Sequence, residues 1–223
     1  MRFKLLILIG ILFLSCEEIE YNPLDSVNPD YIPPETTITS DINGSTLDTS
    51  AVTITFAGND EVTEYSYSAD SSSWSSWATT TSVLIDYLDE GQHYFNVKGR
   101  YASGDEDETP ATVSFTVDAI QGPALIFYPR RHIISSDSTA TFQIKAYEVD
   151  SLMLAAISVS FDNTLIEVQS VTEGSIFTGS GTTAFHYELT AGSLIIYTML
   201  MGGDSPSVSG TGVLAEITVK SLG

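Results

Sequence analysis

Through most of this chain the apolar side chains recur at every second position, in short runs broken by Gly, Asp, Asn and Ser. Period two is the spacing of a strand with one dry face, and a helix cannot gather such a pattern on one side. Val52, Ile54 and Phe56 alternate with Thr53 and Thr55, and Tyr65 and Tyr67 alternate with Ser66 and Ser68. After a turn at Asp89-Glu90-Gly91, Phe95 and Val97 share a face, and Val113, Phe115 and Val117 close the first half. The second half repeats the habit with Ala140, Phe142 and Ile144, then Ile157, Val159 and Phe161, then Val213, Ala215, Ile217 and Val219. Strands with turns about every ten residues imply an all-β protein made of two antiparallel β-sandwiches, each sheet dry on one face. The 223 residues are enough for two such modules, at 36–118 and 123–223. Abundant Ser and Thr and 10% aromatic residues favour strands over helices.

The formal charge of −21 predicts a surface that repels nucleic acid, so no nucleic-acid partner is expected. Cys16 is the only cysteine, which excludes an internal disulfide and a Cys-based zinc site. The histidines His93, His132 and His186 are scattered. There is no His-Glu-x-x-His, no phosphate-binding Gly loop and no Gly-x-Ser-x-Gly elbow. No catalytic residue, metal site or cofactor is therefore expected, and the chain reads as a non-enzyme. Arg130-Arg131-His132, the only basic cluster, is expected to cap a hairpin tip or to pair with the chain's own acids.

The start of the chain predicts an address. Arg2 and Lys4 precede ten apolar residues, Leu5 to Leu14, and a membrane-spanning helix needs about 20. MRFKLLILIGILFLSC resembles a bacterial lipoprotein signal of residues 1–16, which implies lipidation of Cys16 and a lipid-anchored protein exported to the bacterial outer membrane or cell surface. The other reading is an ordinary secretory leader. Residues 17–35, acidic and holding Pro23, Pro29, Pro33 and Pro34, read as an extended tether.

In the first module, Leu88-Asp-Glu-Gly91-Gln-His93-Tyr-Phe95-Asn-Val97 and YSYSADSSSWSSW resemble bacterial immunoglobulin-like and fibronectin type III-like domains. The resemblance implies that fold over residues 36–118, with His93 packed at a corner. Trp74 and Trp77 are candidates for stacking on glycans. Strand alternation would put them on opposite faces, one of them in the core. GDEDET at 104–109 lacks the spacing of a calcium loop and reads as a solvated hairpin tip.

The second module carries the more specific pattern. Phe161-Asp162, Leu165-Ile166-Glu167-Val168, Val171-Thr-Glu-Gly174 and the late run Gly212-Val-Leu-Ala-Glu-Ile-Thr-Val-Lys220 resemble a cohesin domain. The resemblance implies a nine-stranded jelly-roll sandwich that binds a protein partner, a dockerin on a polysaccharide-degrading enzyme, through one sheet face. The family pattern continues into a final strand beyond the late Lys, so a sandwich short of its last strand, with an open edge, is expected. Alternation assigns Ser158, Ser160, His186, Glu188, Leu214, Glu216 and Thr218 to the outside, while Phe185, Tyr187 and Leu189 point in. LIIYTMLM is apolar on both faces, so either Tyr197, Met199 and Met201 or the alternate row faces a partner. The recognition sheet expected from strand order combines the strands of Ser158, His186, Tyr197 and Glu216. The competing expectation is a surface adhesion protein that holds polysaccharide directly.

Overall fold

The computed structural model describes residue 27, residues 29–202 and residues 206–223; Cys16, the leader and the first part of the expected tether lie outside them. Among the described residues there are fourteen strands and no helix, and none is long and apolar enough to cross a membrane as a helix. The all-β expectation therefore holds.

Seven strands belong to a first core: β1 (Thr36–Ile38), β2 (Thr46–Leu47), β3 (Val52–Gly58), β4 (Val62–Ala69), β5 (Ser82–Ile85), β6 (Gly91–Tyr101) and β7 (Ala111–Val117). They form two sheets of order β1-β3-β5 and β2-β7-β6-β4, antiparallel except where β2 runs parallel to β7. The alternation decides what goes between them. Ile54, Phe56, Phe95, Val97, Val113, Phe115 and Val117 face inward and pack as one cluster, each contributing about 1.5–3 kcal/mol by leaving water. The chain is already tied to this body at Tyr31, Ile32 and Pro33, inside the stretch expected to be tether, and the Tyr31 ring meets Tyr101 edge-on. The Tyr101 hydroxyl donates to the Ile32 carbonyl at 2.8 Å, and Asn59 Nδ2 donates to the Pro33 carbonyl at 3.0 Å.

The second core is built from β8 (Ala124–Tyr128), β9 (Thr139–Leu152), β10 (Leu154–Ser160), β11 (Ile166–Glu173), β12 (Thr182–Thr190), β13 (Ser193–Met201) and β14 (Val208–Ser221). The sheets have the orders β10-β13-β12 and β11-β14-β9-β8, with every pairing antiparallel. Seven described strands thus stand where the resemblance implies nine. At the Asp162 turn leading to β11, the Thr164 hydroxyl and then its backbone N–H donate to the carboxylate and hold its pKa below the usual value. Leu194, Ile196, Ile217, Val219 and Ile144 fill the space between the sheets.

One inward row breaks its parity. β14 shifts register between Val213 and Ala215, and Leu214 and Ala215 are both completely buried. An extra residue in a bulge turns two consecutive side chains toward the core, so the expectation that Leu214 points to solvent is overturned. Gly174 makes the close approach possible. Its backbone N–H donates to the Leu214 carbonyl at 2.9 Å, and a Cβ there would lie 2.2 Å from the Val213 carbonyl oxygen.

Two side chains of this core give direct tests. Leu214→Ala should destabilise the second sandwich by about 2–5 kcal/mol in urea unfolding, the cost of a core cavity; a surface leucine would change it by less than about 0.5 kcal/mol. Thr198 is fully buried and its Oγ1 has no hydrogen-bond partner. Thr198→Val should therefore raise the unfolding free energy by about 1 kcal/mol, by removing the cost of the unpaired hydroxyl. A loss of stability would mean that the hydroxyl is satisfied.

Candidate partner-binding face

β13 is the central strand of its sheet, hydrogen-bonded on one side to β10 and on the other to β12. Its residues 194, 196, 198 and 200 are all buried. That resolves the ambiguity of the doubly apolar run: the even row is the core, and Ile195, Tyr197, Met199 and Met201 face outward. Register then places their neighbours. Tyr197 lies between Ala156 and His186, Ile195 between Ser158 and Glu188, and Met199 between Leu154 and Ala184.

The resulting face has an apolar centre with polar flanks. Tyr197 is 36% exposed, Met201 41% and Leu154 52%. The His186 ring lies parallel to that of Tyr197, with centroids 6.4 Å apart, and its Nε2 is 3.8 Å from Glu188 Oε1. Both partners of that pair are well exposed, so the ion pair adds little stability. It leaves one imidazole and one carboxylate at the rim of the apolar row. Ser158 and Ser160 are exposed on β10, a run with no charged residue. The sequence missed Leu154 and Ala156, which only register brings beside Met199 and Tyr197, and Ile195, which shares the outward parity of Tyr197 on β13.

Three expected residues belong elsewhere. Glu216 and Thr218 lie on β14, which pairs with β9 and β11 in the opposite sheet. There Gln143 Nε2 donates to Glu216 Oε1 at 2.8 Å, and the Thr218 and Thr141 hydroxyls are 3.0 Å apart. Leu214 is in the core. The strand order carried over from the resemblance put β14 in the wrong sheet, and no single recognition face joins Glu216 to Tyr197. Tyr187 and Leu189 also depart from expectation. They follow the inward parity of β12 yet remain exposed, as an edge strand allows.

Trp74 and Trp77 are not on opposite faces. Residues 72–77 form no strand, and the segment runs along β4, with Ser75 N donating to the Tyr67 carbonyl and Ser66 Oγ to the Ser75 carbonyl. Lys98 Nζ sits 5.0 Å from the Trp74 ring centroid and 5.4 Å from that of Trp77, and the Arg100 guanidinium carbon is 4.5 Å from the Trp77 centroid. Lys98 pairs with Glu106, and Arg100 donates twice to Glu64. The indoles thus alternate with cations in a self-paired ladder that occupies the Trp77 ring. Trp74 remains 42% exposed.

His93 is a packed corner residue. Nδ1 is 2.7 Å from Asp70 Oδ2 and Nε2 is 2.8 Å from the Asp89 carbonyl, with the ring stacked on Phe115. In the GDEDET segment, Asp107 is buried and accepts hydrogen bonds from the backbone of Thr36 and Thr109. Among the described residues no group of His, Cys, Asp or Glu is arranged to hold a metal ion.

Residues 135–222 match the family model of the cohesin domain. No curated protein sequence matches the chain. Among solved structures, the chain is similar to a non-cellulosomal cohesin from the hyperthermophilic archaeon Archaeoglobus fulgidus, at 21% identity and a TM-score of 0.33, over 39% of this chain and 57% of that one. It is also similar to a chain of a type II cohesin-X-dockerin complex from Acetivibrio cellulolyticus, at 13% identity and a TM-score of 0.35, over 44% and 69% of the two chains. The type II cohesin dyad from the adaptor scaffoldin of Acetivibrio cellulolyticus matches at 10% identity and a TM-score of 0.39, over 86% and 85%. The cohesin domain is a non-catalytic protein-interaction module, and it is the second sandwich of this chain that carries its pattern.

Proposed function

We propose that this chain is a non-catalytic surface lipoprotein whose second sandwich, residues 123–223, binds a protein partner through the outer face of β10-β13-β12. The partner is a dockerin carried by a polysaccharide-degrading enzyme. Cys16 carries the lipid, the residues after it form the tether, and the sandwich of residues 36–118 is the spacer that lifts the binding face from the membrane.

One observation carries the reading of the face. β13 has a complete inward row in the core and a second, outward row of Ile195, Tyr197, Met199 and Met201, within the segment that matches the cohesin domain. A strand in a two-layer sandwich needs only one apolar row for folding. An outward row holding an aromatic and two methionines fits a protein interface, where Tyr and Met are enriched. His186 and Glu188 supply the polar rim. Direct glycan binding is the less favoured reading, because cations occupy the Trp77 ring.

Calorimetric titration with a purified dockerin-bearing enzyme tests this. Tyr197→Ala and Met199→Ala should each weaken binding, the tyrosine by roughly 30-fold, the loss of about 2 kcal/mol that marks a hot spot. Glu216→Lys, on the other sheet, should leave the affinity within about twofold and the stability within about 0.5 kcal/mol. Binding to insoluble polysaccharide that Trp74→Ala abolishes, with no binding to the enzyme, would replace the reading with its rival.

A further inference from the structure

The Arg130-Arg131 pair finds its partners outside its own sandwich. It follows β8 in the second sandwich and reaches into the acidic loop between β5 and β6 of the first. The Arg130 backbone N–H donates to Asp89 Oδ1 at 2.7 Å, and its guanidinium binds Glu90. The second Glu90 oxygen accepts from the backbone N–H of Ala119, at 3.0 Å, in the connection between the two bodies. The Glu90 side chain is only 9% exposed. Arg131 NH1 is 3.0 Å from Asp86 Oδ1, and its guanidinium carbon stands 5.1 Å from the Tyr87 ring centroid.

The acidic loop is itself anchored. His93 holds the Asp89 carbonyl from within the first core, and Tyr87 keeps a positive φ of 57°, a conformation that needs surrounding contacts to persist. On the other side the connection is pressed against β9: a Cβ at Gly122 would lie 2.3 Å from Glu148 Cβ. Tyr147 comes from the same strand, and burial, then Glu90, Glu148 and Asp118, raise the pKa of its hydroxyl.

From these contacts we infer that the two sandwiches are locked in one relative orientation by an ionic clasp, Arg130 and Arg131 of the second gripping Asp86, Asp89 and Glu90 of the first. An exposed ion pair contributes little, but here a sheltered carboxylate joins a guanidinium and a backbone N–H, with a second pair and a ring contact beside it. The two bodies form one rigid unit. The outer face of β10-β13-β12 therefore points in a fixed direction relative to the first sandwich. This inference does not depend on what that face binds.

Amide residual dipolar couplings of the full chain test it. A single alignment tensor should fit both sandwiches. The R130E/R131E variant should require two tensors of unequal magnitude, while K220E, which breaks the exposed Lys220–Asp137 pair, should keep one. The amide shifts of Phe56 and Ile196, one in each core, report whether both bodies stay folded. Where charge reversal unfolds either, R130Q/R131Q is read by the same criterion. Two tensors in the wild type, or one tensor retained in the clasp variant, would overturn the inference.

Discussion

Backbone pairing on both edges of β13 fixes nearly everything that can be said about recognition. A strand held between β10 and β12 cannot slip without breaking two ladders. A slip of one residue would turn Leu194, Ile196 and Leu200 to water and bury Tyr197 and Met199. The core and the candidate face are therefore two consequences of one register. The methyl-rich interior selects the even row, and the odd row is exposed because geometry leaves it no other place.

The remaining features support that sheet or orient it. The bulge in β14 lets Leu214 and Ala215 both enter the core behind β13, and Gly174 allows the backbone of the β11 end to lie against them. The first sandwich contributes a separate core, and the clasp converts that separate body into a fixed mount. On its outside the Trp77 indole is taken up by Lys98 and Arg100, which are themselves paired with Glu106 and Glu64.

Much of this was legible in the sequence. Strict alternation gave the strands, their inward faces and the all-β class, since it reports a local property of the backbone. The Phe161-Asp162 turn and the Gly212–Lys220 run mark the cohesin-like segment by themselves. What was not legible is what alternation does not encode. It cannot say which strand lies beside which, and the strand order implied by the resemblance puts Glu216 and Thr218 on a sheet to which β14 does not belong. It fails at a bulge, so Leu214 was turned outward, although the flanking Gly210 and Gly212 are the residues that commonly accompany such irregularities. It also assumes a strand: residues 72–77 are not one, and Trp74 and Trp77 share a face that the alternation denied them.

The most direct measurement of the central claim is a methyl map of the partner-bound chain. With the methionine methyls labelled and a dockerin-bearing enzyme added, a partner seated on β10-β13-β12 should cause large shifts or broadening at Met199 and Met201, with the amides of Thr141 and Thr218 on the opposite sheet unmoved. Unperturbed Met199 and Met201 signals, with the changes gathered at Thr141 and Thr218 or at Trp74, would contradict it.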